Sequence, residues 1–237
     1  MCSINPVIGN ELRWEKEYTP AARPKRVVVV GGGLAGCEAA RIAAQRGHKV
    51  SLLEQGKRLG GQLLIASKAP GRDSFEDQVY FEENEMKRTG VDVRLESRAD
   101  IAAIRALKPD AVVIATGAVP RVPHDVSGLD QPHVVYGWDV MQGKAQTGKR
   151  VAIVSQEDYY ETPGVADYLA SKGKEVTVFL KGAHIGKEIA RYSVGMTLAR
   201  MESLGVTTVP NVTLTKIDAK GLEFDSAFGG KTYRYEG

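Results

Sequence analysis

The residues whose types and spacing suit chemistry gather at glycine-rich turns. Gly31-Gly32-Gly33-Leu34-Ala35-Gly36 fits the pattern G-x-G-x-x-G. A β-branched run, Arg26-Val27-Val28-Val29-Val30, precedes it, and a proline-free stretch from Leu34 to Arg46 follows. In that setting each glycine has a task. Gly31 permits a tight strand-to-helix turn. Gly33 removes the Cβ that would hold a pyrophosphate off the backbone. Gly36 lets the helix pack closely on the strand. The free N–H groups of a helix start, with Leu34 and Ala35 in its first turn, suit phosphate oxygens. Glu54 closes the next strand 18 residues after Gly36, where a carboxylate accepts hydrogen bonds from ribose hydroxyls, and Gln55 follows it. The chemistry so encoded is the binding of an adenosine pyrophosphate rather than the making of a bond.

The elements that must position these residues follow a βαβ rhythm. The valine run suits a strand buried on both faces of a parallel sheet. Gly47 stands at the helix C-cap, and Lys49 to Leu53 is the next strand. A looser segment, Gly60 to Asp73, leads to a helix from about Phe75 to Thr89. Strands at Val91 to Leu95 and Ala111 to Ala115 flank a short helix at Asp100 to Leu107. Pro120 to Pro132 is rich in turn residues. A second unit then starts with a strand at Arg150 to Val154, a helix at Pro163 to Lys172 and a strand at Glu175 to Leu180. Val194 to Leu204 reads as helical, and short strands follow at Val212 to Ile217, Gly221 to Phe224 and Lys231 to Tyr235. Alternating strands and helices predict an α/β fold with parallel sheets covered by helices.

Composition mostly excludes. Glycine supplies 26 of 237 residues, above a typical ~7%, without collagen periodicity. Lys plus Arg is 32 and Asp plus Glu is 29, a formal charge of +3 that is too small and dispersed for a nucleic-acid footprint. No apolar run approaches the ~18 residues of a membrane span, so no membrane partner is expected. The start, Met1 to Pro6, lacks a basic region followed by an apolar block, and so does not read as a signal peptide. Two cysteines, Cys2 and Cys37, form no disulfide framework, and a reducing cytoplasm is the expected compartment.

Two further strings narrow the ligand: Leu59-Gly60-Gly61-Gln62-Leu63 after Glu54, and Ala115-Thr116-Gly117 at the end of a strand. With the fingerprint they resemble the flavoproteins that carry two dinucleotide-binding domains. The lead-in narrows this again. Cys2-x-x-Asn5-Pro6-x-x-Gly9-x-Glu11, then the fingerprint, Glu54 and Leu59-Gly60-Gly61-Gln62, is similar to the C-terminal region of one group of NADH:flavin oxidoreductases. That group includes trimethylamine dehydrogenase, histamine dehydrogenase, 2,4-dienoyl-CoA reductase and related N-demethylases. The resemblance covers nearly the whole chain.

The resemblance implies a tandem Rossmann-like, three-layer fold. It places a lead-in at residues 1–24, a lobe for FAD or ADP at 25–145 and a degenerate NAD(P)-type lobe at 146–237. It implies a parent enzyme with an N-terminal barrel that carries FMN, followed by a four-iron four-sulfur cluster. Cys2 matches the last of four cluster ligands. One thiolate cannot hold such a cluster, so the expectation is a fragment of a longer enzyme, or a subunit whose partner carries the barrel. The family closes its first lobe with a final strand and helix, so that lobe is expected to be incomplete at the C-terminus. The nucleotide contacts it implies are Gly31, Gly33, Leu34, Ala35, Gly36, Glu54, Gln55, Gly60, Gly61 and Gln62, with Ala115, Thr116 and Gly117 at the crossing between lobes. Arg98 and Ala99 are carried over for the adenine end, where the family uses backbone groups.

The second unit lacks a matching fingerprint. After Val154 the turn reads Ser155-Gln156-Glu157-Asp158-Tyr159-Tyr160-Glu161-Thr162-Pro163-Gly164. Acidic residues stand where a pyrophosphate would sit, and two tyrosines stand where the backbone must come close. Lys181 ends the following strand in place of an acid, a residue compatible with NADP. The expected parent is an amine dehydrogenase or N-demethylase that passes electrons from FMN through the cluster to an electron-transferring flavoprotein, as a homo-oligomer. An NAD(P)H-dependent enoate reductase and a non-catalytic, ADP-stapled docking module remain open. No catalytic residue is expected in this chain. Cys37 reads as a packed thiol, His48, His124, His133 and His184 lack metal-ligand spacing, and Glu82-Glu83-Asn84-Glu85 reads as a solvated helix face.

Overall fold

The computed structural model describes residue 5 and residues 7–155 and 157–236. Two compact units emerge. One holds residues up to Ser67 together with Asp73–Val119, and the other holds Lys68–Arg72 and the residues from Pro120 onward. They part upstream of the 145/146 boundary placed from sequence. The reason is packing: Val126, Leu129 and Val134 of the turn-rich connection lie against the core of the second unit.

The first unit starts with a short exposed helix α1 (Glu11–Glu17). Then come β1 (Arg26–Val30), α2 (Leu34–Gln45), β2 (Lys49–Leu53), α3 (Leu63–Ala66), α4 (Phe75–Thr89), β3 (Asp92–Arg94), α5 (Ile101–Ala106) and β4 (Ala111–Ile114). The four strands are all parallel, in the order β3-β2-β1-β4. Val27 to Val30 are all buried, as a strand covered on both faces requires. Val27 and Val29 pack with Cys37 and Ala40 of α2 and Met86 of α4. Val28 and Val30 pack on the other face with Ile104 of α5 and Leu107. Gly90 caps α4 in the left-handed region (φ 71°). β4 is an edge strand, and its Ile114 is 68% exposed.

Chain order reverses across β1, which has β2 on one side and β4 on the other. Such a switch point leaves a crevice at the carboxyl ends of the strands, the habitual ligand site of open α/β sheets. Here those ends are Val30, Leu53 and Ile114, so Gly31, Glu54 and Ala115 line the crevice.

The second unit contains α6 (Gly137–Met141), β5 (Arg150–Val154), α7 (Glu161–Ala170), β6 (Glu175–Phe179), α8 (Arg191–Ser203), β7 (Thr207–Val209), β8 (Val212–Asp218), β9 (Gly221–Ser226) and β10 (Thr232–Tyr235). β5-β6-β7 form a parallel sheet, and β8, β9 and β10 an antiparallel one. Phe179 of β6 stacks on Phe224 of β9 at 4.4 Å between ring centres, inside a core shared with Val212, Leu214 and Ile217. The α/β architecture with parallel sheets expected from the sequence is present. Among the described residues no helix is long and apolar enough to cross a membrane.

Candidate nucleotide-binding site

The first glycine turn is built by close contacts that only glycine allows. Gly31 has φ +103°, and a Cβ there would lie 2.3 Å from the Ala115 carbonyl oxygen. A Cβ on Gly36 would lie 1.8 Å from the Gly31 carbonyl oxygen and 3.4 Å from Ala115 Cβ. Gly36 therefore seats α2 against the turn. Gly33 differs. It adopts φ −72° and ψ 177° as the N-cap of α2, and a Cβ there would meet no protein atom within 4 Å. No side chain caps α2, so its first N–H groups keep their hydrogen-bonding capacity for another acceptor. Leu34 and Ala35, in that first turn, are exposed.

Glu54 locks the turn from the next strand. Its Oε2 accepts from Gly32 N–H at 2.6 Å and its Oε1 from Gly56 N–H at 2.5 Å. Its own N–H bonds to the Arg94 carbonyl at 2.9 Å, and its carbonyl accepts from Ser97 N–H at 2.9 Å. The carboxylate is thus held at the crevice by the two loops it joins.

The second glycine string folds onto the first. Gly60 N–H donates to the Gly32 carbonyl at 2.8 Å, and Gly33 and Gly60 form a parallel bridge. Gly60 (φ +114°) has no room for a Cβ beside Val79 and Leu64, and a Cβ on Gly61 would lie 3.0 Å from Gly33 Cα. Gln62 Nε2 donates to the Ala118 carbonyl at 3.0 Å. Gln62 therefore ties the loop to the segment just past Ala115, Thr116 and Gly117, and Gly117 takes φ +70°.

Most of the residues singled out by sequence meet at this one place: Gly31 to Gly36, Glu54, Gly60 to Gln62 and Ala115 to Gly117. Gln55 is exposed beyond Glu54. Arg98 is exposed, while Ala99 packs inward against Val28, Val30 and Leu53. Cys2 lies outside the described residues, as do Pro6 of the lead-in and Gln156 of the second turn. Sequence reasoning passed over Gly56, whose N–H holds Glu54 Oε1, and Ala118, whose carbonyl receives Gln62. Gly56, two residues beyond the acid, was the available signal. The geometry fits an adenosine pyrophosphate, because the space before Gly33 is one that any side chain would fill.

The corresponding turn of the second unit is closed by its own side chains. Glu157 Oε1 accepts from Thr162 N–H at 2.7 Å, and its Oε2 accepts from Tyr159 N–H. Ser155 Oγ lies 2.7 Å from the Glu157 carbonyl, to which it donates, and 2.9 Å from Thr162 Oγ1. Tyr159 and Tyr160 meet edge to face at 4.8 Å, and the Arg72 guanidinium lies 4.0 Å from the Tyr160 ring centre. Burial, reinforced by the neighbouring Glu157, raises the pKa of Glu161, and a hydrogen bond from Trp138 opposes the shift. Away from both turns, burial pushes the Cys37 thiol up to about 12. Among the described residues no group of His, Cys, Asp and Glu could hold a metal ion.

Comparison with known proteins agrees with this geometry. The family described as "Pyridine nucleotide-disulphide oxidoreductase" matches residues 25–156, and the "OYE-like second alpha/beta domain" matches residues 135–237. The chain is 42% identical over 187 residues to an N,N-dimethylglycine/sarcosine dehydrogenase of Chromohalobacter salexigens, covering 75% of this chain and 27% of that protein. It is 37% identical over 223 residues to an NADH oxidase of Thermoanaerobacter brockii, covering 93% and 34%. A solved 2-naphthoyl-CoA reductase in complex with 2-naphthoyl-CoA matches with a TM-score of 0.91 at 33% identity, covering 99% of this chain and 35% of that one. The chain thus spans about a third or less of the length of these relatives. It belongs to the pyridine nucleotide-disulphide oxidoreductase family and is related to flavin-dependent amine dehydrogenases and enoate reductases.

Proposed function

We propose that this chain is the nucleotide-binding part of a flavin-dependent amine dehydrogenase or N-demethylase. In this reading the first unit holds FAD or ADP through its adenosine pyrophosphate end, and the second unit does not receive a pyridine nucleotide. Leu34, Ala35 and Gly36 offer N–H groups to the phosphates, Gly33 leaves room for them, and Glu54 receives the ribose. FAD, if it is the ligand, supplies electron transfer. The chain's own residues bind and orient it.

The observation that carries the reading is the contrast between two equivalent turns. Before α2, Glu54 takes the Gly32 N–H and a Cβ on Gly33 would meet nothing within 4 Å, whereas before α7 the Glu157 carboxylate accepts from Tyr159 N–H and from Thr162 N–H inside the helix. A hydride relay from NAD(P)H needs both turns open, and an amine dehydrogenase needs only the first. The parent then carries FMN and a four-iron four-sulfur cluster in a barrel region, with Cys2 as the fourth ligand. It oxidises a secondary or tertiary amine and hands electrons to an electron-transferring flavoprotein as a cytoplasmic homo-oligomer.

A second reading, an NAD(P)H-dependent enoate reductase, has its own support. Lys181 lies exposed just after β6, where a basic residue suits a ribose phosphate, and two of the relatives above are named as an NADH oxidase and a CoA-ester reductase. The test is anaerobic titration of the full-length flavoenzyme. Bleaching by dimethylglycine or sarcosine, with none by NADH or NADPH, is the expected result. Rapid bleaching by NADPH overturns the proposal in favour of the second reading. Denaturation then identifies the released nucleotide, and ADP without FAD would indicate a docking module.

A further inference from the structure

We propose that Glu157 is the residue that closes the second unit to pyridine nucleotides, by acting as a tethered anion on the backbone groups a dinucleotide phosphate would need. The inference rests on the reading above that this unit takes no NAD(P)H, and it assigns the cause to one side chain. The family name implies a pyridine nucleotide, and the residues at this turn do not fit one.

Three observations carry it. First, the turn lies at the carboxyl end of β5 and leads into α7, the same place in its βαβ unit that Gly31 to Gly36 hold in theirs. Second, the donors there are already engaged. Thr162 N–H and Tyr159 N–H both point at the Glu157 carboxylate, and Ser155 Oγ is turned to the Glu157 carbonyl and Thr162 Oγ1. Neither α2 nor α7 is capped by its own N-cap residue, and at α7 it is Glu157, three residues ahead of Tyr160, whose carboxylate takes the Thr162 N–H. Third, Glu161 and Trp138 sit beside the same turn, and the raised pKa of Glu161 reflects in part the charge of Glu157.

The positive end of a helix dipole accommodates a negative charge. Here that charge belongs to the chain. A phosphate arriving from solution must displace a carboxylate that is permanently at hand, and an intramolecular competitor acts at an effective concentration of ~mM or more. If the carboxylate stayed, a phosphate would meet like charge at close range, which is exclusion by repulsion. The second turn is therefore more than a degraded fingerprint. It is a site whose anion has been replaced by a side chain.

The experiment compares the wild type with Glu157→Ala and Glu157→Gln. NADH and NADPH are the probes, in the presence of excess ADP to occupy the first unit. Binding is read as hydrogen-exchange protection of residues 157–162, which separates it from any nucleotide at residues 31–36. The wild type is expected to show no protection. Glu157→Ala is expected to gain it, with binding at least ~10-fold tighter than wild type, and the neutral Glu157→Gln to gain less. Far-UV circular dichroism monitors folding, and if loss of the cap unfolds the Ala variant, the Gln variant carries the test. Protection in neither folded variant overturns the inference and leaves the proposed function intact, because Tyr159 and Tyr160 would then be the block. Protection of these residues in the wild type overturns both.

Discussion

Gly33 and Gly36 are both fingerprint glycines, yet the structure gives them opposite consequences on substitution. At Gly33 the backbone lies at φ −72° and ψ 177°, a region open to valine, and a Cβ there meets nothing within 4 Å. In Gly33→Val the lost N-cap preference of glycine and the lower unfolded-state entropy of valine oppose each other, each by roughly 0.5–1 kcal/mol. The melting temperature should then move by no more than about 4 °C. The side chain projects into the space the phosphates need. Losing two charge-assisted hydrogen bonds of ~1.5–3 kcal/mol each weakens ADP binding by ~10²–10⁴-fold. Gly36→Ala behaves in reverse. Its Cβ would lie 1.8 Å from the Gly31 carbonyl oxygen, so backbone must shift, and the fold should lose roughly 3 kcal/mol or more. Calorimetric titration with ADP and a thermal melt on each variant are sufficient. Unchanged ADP affinity in a folded Gly33→Val protein refutes the assigned approach of the phosphates. A Gly36→Ala protein as stable as wild type refutes the packing argument.

Two further outcomes follow from buried groups. Glu82 is 3% exposed and its Oε2 has no hydrogen-bond partner. Burial raises its pKa, and the charges of Glu38 and Glu85 add to this, against a hydrogen bond from Gln78 and the charge of Arg41. Its contribution to stability is complete below the unfolded value near 4.5 and is lost as pH rises through the higher folded value. Glu82→Gln should therefore raise the melting temperature at pH 8 and change it little at pH 4, and a loss at pH 8 would contradict this. Cys37 is fully buried, with a pKa pushed up to about 12, so about one thiol in ten thousand is ionised at pH 8. Iodoacetamide should leave it unmodified in the native protein and label it after denaturation, as read by peptide mass spectrometry; native labelling refutes its placement.

Much of the fold was legible because the strands and longer helices obey simple periods. The valine run from Val27 became a strand buried on both faces, and the helix expected from about Phe75 to Thr89 has those bounds. Short elements escaped. Glu11–Glu17 is helical yet buries no residue, so it has no apolar stripe to read. Leu63–Ala66 and Gly137–Met141 each span about one turn, too short for a period to show. Glu82 was read as part of a solvated face, but it lies on the buried stripe of α4 with Val79 and Met86. Charge outweighed helical phase in that reading. The first turn was legible because Gly31 and Gly36 mark positions where the fold leaves no room for a Cβ, and Gly33 one where the ligand would need that room. The second was legible as a missing fingerprint with acidic residues and tyrosines in its place. That Glu157 turns its carboxylate back onto Tyr159 and Thr162 depends on loop geometry, which spacing alone does not encode.

The proposed function gives the chain one working nucleotide site, in the first unit, and a second that its own carboxylate closes. Hydrogen exchange of the wild-type protein with and without ADP tests this most directly. Slowed exchange is expected across residues 31–36, 54–62 and 115–118, with unchanged exchange across 157–162. Protection at 157–162, or none at 31–36, would contradict it.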